Sequence, residues 1–107
     1  MSVAVTLKVS AKSNPNAVAG ALAAALRERE SSELQAVGAG AINQAIKAVA
    51  IARSYLRGAQ LDLVCIPSFV VVPIGDTERT AISLFVERRK IEEKAILAEE
   101  SASHDEG

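Results

Sequence analysis

One turn in the sequence has the residue types that bind an anion. Residues 38–43, Gly-Ala-Gly-Ala-Ile-Asn, follow a short apolar run and precede a long segment with helical apolar spacing. Backbone N–H groups at a helix start can hold a phosphate that approaches closely past small residues. The turn is not a dinucleotide fingerprint, because Asn43 replaces the third glycine and no acidic residue ends a following strand at the required distance. Two interpretations of this turn remain open. It contacts a phosphate, or its glycines only permit a tight turn and close helix packing.

A second candidate is the loop at residues 10–14, Ser-Ala-Lys-Ser-Asn, which follows the first predicted strand. We expect it at the same end of the sheet as the glycine turn, because both connections leave parallel strands from their C-terminal ends. Lys12 and the hydroxyl groups would then face phosphate beside the turn. In the alternative interpretation Asn14 only caps the next helix and Lys12 is a solvated lysine.

Three further positions add basic or polar groups. Lys8 points away from the buried face of its strand. Lys47 lies on a polar stripe of the second helix, and such a stripe is more often a solvated face. Ile51 and Tyr55 flank this stripe, so that it could instead be a surface for a partner helix. Arg79 lies near a hairpin tip, which is more often an ordinary solvent turn. The candidate nucleic-acid contacts are therefore Lys8, Lys12, Ser13, Asn14, Gly38, Ala39, Gly40, Asn43, Lys47 and Arg79.

Enzyme chemistry is not predicted. The only histidine, His104, lies near the C-terminal end, so no Ser/His/Asp arrangement can be assembled, and no Cys/His cluster offers a metal site. We expect no catalytic residue, no metal and no cofactor; a nucleotide at the glycine turn is the weakest of the hypotheses. Cys65 has no partner for an intramolecular disulfide and is expected as a buried strand thiol. Aromatic residues make up 3% of the chain, which disfavours a base-stacking platform.

The elements that position these residues follow from apolar periodicity and turn residues. They are a strand over residues 3–10, a helix from Asn14 to about Arg29, a strand over 34–37, a helix over 41–57, and strands over 61–73 and 79–87 joined by a turn. This order predicts an α/β chain of the α+β two-layer kind, βαβαββ, with two helices on one face of a mixed four-stranded sheet. Pro67 cannot donate to a ladder, so the third strand is predicted at a sheet edge.

Charge divides the 107 residues into two parts. Residues 1–88, predicted as one domain, hold nine basic and seven acidic side chains, whereas residues 89–107 hold three and six. The latter are predicted as a charged tail, helical from Arg88 to about Glu100 and then disordered. With no signal peptide and no apolar run of membrane length, we expect a cytoplasmic protein without a membrane partner.

Three segments, residues 7–22, 35–53 and 62–67, resemble the stage V sporulation protein S family of bacteria, and the resemblance runs from about Leu7 to Glu87. It implies an Alba-like fold, a homodimer or higher oligomer, and a nucleic-acid-binding regulatory role in sporulation or developmental control. Lys12 matches a lysine-bearing loop of Alba-type proteins. Gly38 and Gly40 stand where those proteins carry arginines.

Two hypotheses therefore remain. The first is a dimeric regulator that contacts nucleic acid mainly at phosphates. The alternative is a protein-interaction or assembly module without nucleic-acid binding, in which the acidic tail or the surface of the second helix contacts a partner.

Overall fold

The computed structural model describes residues 5–91, and within them strands and helices alternate as predicted. The elements are β1 (Val5–Val9), α1 (Pro15–Glu28), β2 (Ser31–Ala36), α2 (Ala39–Leu56), a 3₁₀ turn (Arg57–Ala59), β3 (Leu61–Ile74) and β4 (Thr77–Lys90). The predicted α+β two-layer fold, with two helices and a mixed four-stranded sheet in the order βαβαββ, is confirmed.

The sheet has the spatial order β1-β2-β4-β3. β1 runs parallel to β2, and β4 is antiparallel to both of its neighbours. Leu34 of β2 lies between Leu7 of β1 and Leu84 of β4, so that one apolar row crosses three strands. β3 is an edge strand, as Pro67 predicted.

The core lies between the two helices and one face of the sheet. Leu22 and Leu26 of α1 and Leu34 of β2 are fully buried there. α2 presents small residues to the same core, and these alanines let the helix backbone approach closely. They are Ala41, Ala45, Ala48 and Ala52.

Both ends of α1 are held by side chains. The Asn16 N–H donates to the Oδ1 atom of Asn14 at 2.8 Å, and Pro15 occupies the first turn, as the sequence predicted. The carbonyl groups of the last helical turn have no N–H donor within the helix. Arg88 of β4 satisfies two of them by donating to the Leu26 carbonyl at 2.8 Å and the Arg27 carbonyl at 3.1 Å.

β2 starts three residues earlier than the predicted Leu34. Ser32 occupies a core position with no exposed surface, because its hydroxyl donates to the Val5 carbonyl at 2.7 Å. A satisfied polar group can be buried at little cost, so the strand tolerates a residue that the apolar pattern does not recognise.

β4 is longer than predicted at both ends. Arg88, Arg89 and Lys90 belong to the strand, so the helix predicted from Arg88 is wrong for these residues. The remainder of that helix and the predicted disordered end lie outside the described residues. Cys65 was predicted to be buried, but it is half-buried on edge strand β3, which has a neighbouring strand on one side only.

β3 and β4 together reach past the end of β2. Ala36 is the last β2 residue to pair with β4, opposite Ile82. Residues 70–81, here called the hairpin arm, pair only within the hairpin and turn at Gly75, which has a φ of 60°. The arm projects from the sheet end at which β1 and β2 finish.

Candidate nucleic-acid interface

The 10–14 loop and the start of α2 are in contact, as predicted from the parallel strands. A Cβ atom at Gly40 would lie 2.9 Å from the Ala11 Cβ atom, so only glycine permits this approach. One helical turn later, the Gln44 Nε2 atom donates to the Ser13 carbonyl at 2.8 Å. The 10–14 loop, which leads into α1, and the first turns of α2 therefore form one continuous edge.

The first turn of α2 offers main-chain donors at this edge. Gly38 is the capping residue, with a φ of 90° and no side-chain cap bond. The first helical bond runs from the Ile42 N–H to the Gly38 carbonyl at 3.0 Å, so the amides of the preceding turn have no acceptor in the helix. Gly38, Ala39 and Gly40 are exposed. Such amides, with the positive end of the helix dipole, attract an anion.

Lys12 lies in a loop that internal hydrogen bonds shape. The Lys12 N–H donates to the Ser10 Oγ atom at 3.2 Å, and the Ser10 N–H donates to the Ser13 Oγ atom at 2.9 Å. Ser13 and Asn14 thus use their side-chain oxygens to form the loop and the α1 cap. The exposed Lys12 side chain directly follows Ala11, the residue that touches Gly40. Of the five loop residues, Lys12 alone brings positive charge to the edge.

Two more candidates continue along α2. Asn43 and Lys47 are both exposed and are separated by four residues, so they lie above one another on one helix face. They continue the polar surface along α2, where Asn43 adds a side-chain amide and Lys47 adds a second positive charge.

Lys8 and Arg79 are placed differently. Lys8 lies on the sheet face opposite the helices and lines a groove of about 180 Å³ together with Val37 and Val72. Arg79 is exposed on the hairpin arm, where it pairs with Val72. Both belong to the same end of the molecule as the glycine turn, but they flank the open sheet face rather than the start of α2.

The sequence did not reveal a carboxylate network on that open face. Glu33 accepts hydrogen bonds from Thr6 at 3.0 Å, Ser83 at 2.5 Å and Gln35 at 3.3 Å. The Ser83 hydroxyl is the main cause that holds the pKa of Glu33 below its ordinary value of 4.5, against a smaller rise from burial. Glu33 places a negative charge on the same sheet face as Lys8. This open face is therefore less suited to binding phosphate than the edge at the start of α2.

Burial raises the pKa of the Cys65 thiol, which disfavours the thiolate form. Within residues 5–91, His, Cys, Asp and Glu side chains form no group of three that could hold a metal ion. No helix in that range is long and apolar enough to cross a membrane. The cytoplasmic location remains a prediction.

Two helices pack on one face of a βαβαββ sheet, and the Lys12 loop meets the exposed first turn of α2 at one edge. These features define a small α+β domain of the two-layer kind. The chain matches the family model for Stage V sporulation protein S (SpoVS) over residues 5–89. It therefore belongs to the SpoVS family, as the sequence resemblance predicted. Membership gives the chain a sporulation-related role in a regulatory family that is not a known enzyme family.

Proposed function

We propose that this SpoVS-family chain is an Alba-like, homodimeric regulator that binds nucleic acid by its phosphate backbone in sporulation or developmental control. The observation that carries the proposal is the contact between the Lys12 loop and the first turn of α2. The 2.9 Å approach at Gly40 brings a cation and unbonded amides to one exposed edge.

A phosphate oxygen at this edge would accept hydrogen bonds from the first-turn amides while Lys12 balances its charge. Asn43 and Lys47 would contact the next phosphate along the strand. Contacts of this kind set the position of the nucleic acid but carry no base information. Binding is therefore expected to depend weakly on sequence.

Gly38 and Gly40 replace the arginines of Alba-type proteins, so few positive charges contribute to binding. Each phosphate that a cation neutralises adds about 0.9 to the slope of log affinity against log salt on duplex DNA. The proposal therefore predicts moderate affinity at low salt and a shallow slope of about two, from Lys12 and Lys47.

The test is a fluorescence-anisotropy titration of labelled duplex DNA and single-stranded RNA at several salt concentrations. Lys12→Ala is expected to weaken binding on every sequence and to lower the salt slope by about one. Lys90→Ala is the matched control, since this exposed lysine lies at the opposite end of β4, and it should leave the slope unchanged. Absence of binding at high micromolar protein, or equal losses in both variants, contradicts the proposal.

The alternative, a protein-interaction or assembly module, is favoured by one observation. Phe69 is 79% exposed and Val71 is 62% exposed on β3, which is unusual for apolar side chains of this size. If the titration shows no binding to either nucleic acid, the protein-interaction hypothesis is favoured, and this exposed surface is the first to test for a partner.

A further inference from the structure

Positive charge is concentrated where both helices finish and β4 ends, at the end of the molecule opposite the Lys12 loop. Seven of the eleven basic side chains in residues 5–91 lie there with four acidic ones, which gives a net charge of +3. We call this region the basic end. Its basic residues come from the end of α1 (Arg27 and Arg29), the end of α2 (Arg53 and Arg57) and residues 88–90, and its acidic residues are Glu28, Glu30, Asp62 and Glu87.

A groove of about 590 Å³ opens at the basic end. It is lined by residues 59–61, residues 87–90 and Glu30, so that its lining includes apolar side chains from the start of β3 and basic ones from the end of β4. Arg88 is used to bond the carbonyl groups that end α1, whereas its two successors in the strand are exposed. The groove therefore suits an occupant that carries both acidic and apolar side chains.

The chain itself contains such a segment directly after the described residues. Residues 92–107, here called the acidic segment, hold six acidic side chains and one basic side chain, a net charge of −5 with the histidine neutral. Residues 92–100 read Glu-Glu-Lys-Ala-Ile-Leu-Ala-Glu-Glu, so an apolar stretch stands between two acidic pairs. The acidic segment lies outside the family match, which ends at residue 89. Its charge and its apolar stretch complement the groove.

The acidic segment also begins at the rim of this groove. The Ile91 N–H donates to the carbonyl of Gln60, a groove residue, at 2.9 Å. The apolar stretch at residues 95–98 follows within seven residues, which limits its reach from Ile91 to about 25 Å. A connection this short gives an effective concentration of about millimolar, so that weak contacts are sufficient for docking.

The Lys12 edge is too distant for the same part of the segment. Along β4, the eight steps from Lys90 to Ile82, which lies opposite the last residue of β2, span about 26 Å. Lys12 follows the end of β1, which is two strands away from β4. Residues 92–98 therefore fall short of that edge even when fully extended, whereas the groove is adjacent to them.

We propose that residues 92–100 dock within their own chain in the groove of the basic end. Their acidic pairs lie against Arg89 and Lys90, and their apolar stretch lies against Ala59 and Leu61. The docked segment offsets the positive charge of the basic end, so that a polyanion is directed to the Lys12 edge. This inference goes beyond the proposed function, and the docking itself does not depend on it.

The test uses the full chain in a Cys65→Ala background, with a nitroxide spin label on Ser101→Cys, directly after the second acidic pair. At low salt the label should broaden the amide signals of Glu30, Gln60 and Leu61, which line the groove but are distant from the label along the chain. At about 1 M salt, where the Debye length is about 3 Å, these signals should recover because the charges are screened.

Two results of this measurement overturn the proposal. One is an equal signal loss at low and high salt, which a segment that does not dock would also produce. The other is a signal loss that is greatest at Lys12 and Gly40, which would place the acidic segment at the opposite end of the molecule.

A mixed sample separates docking within a chain from docking between copies. It combines the spin-labelled chain with an isotope-labelled chain that has no spin label. The isotope-labelled chain should keep its groove signals. A loss in this sample as large as the loss within one chain overturns intramolecular docking.

Charge reversal tests the pairing of the acidic pairs with β4. Arg89→Glu/Lys90→Glu and Glu99→Lys/Glu100→Lys should each remove the salt-sensitive signal loss, because each turns an attraction into a repulsion. The two changes combined should restore part of it. A combined variant with no more signal loss than either single change contradicts docking through these charges.

Asp76→Lys/Glu78→Lys is the matched control. It makes the same change of charge as the variant at residues 99 and 100, but on exposed positions of the distant hairpin turn, and it should keep the full signal loss. A control that removes the loss as well overturns the proposal. Glu99→Lys/Glu100→Lys leaves residues 5–91 unaltered, so its result stands even if the β4 variant does not fold. These measurements contain no nucleic acid, so failure of docking is distinguished from failure of the proposed function.

Discussion

Asp62 joins α2 to the edge strand through its charge. Its carboxylate accepts hydrogen bonds from the Arg53 guanidinium and, at 2.8 Å, from the Leu63 N–H. The Arg53 bond is the largest cause that holds the pKa of Asp62 below its ordinary value of 3.8, while burial acts in the opposite direction. The folded state therefore prefers the ionised carboxylate.

This preference predicts how stability depends on pH. A carboxyl group with a depressed folded pKa stabilises the protein fully above its unfolded pKa of 3.8, and this contribution is lost as the pH falls through the lower folded value. At neutral pH, Asp62→Asn should lower the free energy of unfolding by about 1–2 kcal/mol, since Arg53 is partly solvated. The deficit should shrink toward pH 3 in urea titrations.

Asp76→Asn, in the exposed hairpin turn, is the control and should change stability equally little at both pH values. A deficit in Asp62→Asn that is the same at pH 7 and pH 3 would show that the charge of Asp62 contributes nothing.

At the residue scale, the sequence predicts what is local. Asn14 as a helix cap and Gly38 as a turn residue follow from their neighbours. The Glu33 network does not, because Thr6 and Ser83 are 27 and 50 residues away along the chain. The strand register brings these side chains together. That register cannot be read from the local patterns of one sequence.

At the scale of elements, the packing of α2 against the 10–14 loop depends on the absence of a side chain at Gly40. Its hypothetical Cβ atom would be 2.9 Å from the Ala11 Cβ atom, which is tied closely to its own backbone. Gly20 in α1 offers the opposite case, since nothing lies within 4 Å of the position that its Cβ atom would take.

The two glycines make a matched pair of variants. Gly40→Ala should lose about 1–3 kcal/mol of unfolding free energy, because α2 and the loop must move apart. Gly20→Ala should gain about 0.5–1 kcal/mol, because alanine restricts the unfolded chain and favours the helix. Chemical denaturation of both variants measures the difference. A Gly40→Ala protein as stable as Gly20→Ala would refute the close contact at this edge.

Element types and order were predictable, while some element lengths were not. Alternation over residues 3–10 and helical spacing over residues 41–57 are strong patterns, and both elements were found. The start of β2 at Ser31 was missed because buried Ser32 breaks the apolar pattern. The length of the hairpin arm was underestimated because its strands bury little surface and show few apolar alternations on β4.

At the scale of the molecule, the net charge of the chain does not favour binding of a polyanion. The chain carries a formal charge of −1, with nine basic and seven acidic residues up to residue 88 and three and six beyond. Long-range attraction is therefore weak, and binding has to arise from local placement of amides and lysines at one edge. A dimer would present that edge twice, and two linked contacts raise the overall affinity without any new charge.

The central claim, phosphate binding where the Lys12 loop meets α2, is tested most directly by mapping amide chemical shifts during titration with a short DNA duplex. The account predicts the largest changes at the amides of Lys12, Ala39, Gly40 and Ala41, reduced by added salt. Changes concentrated on β3, or shifts at these amides no larger than the chain average at saturating duplex, would contradict it.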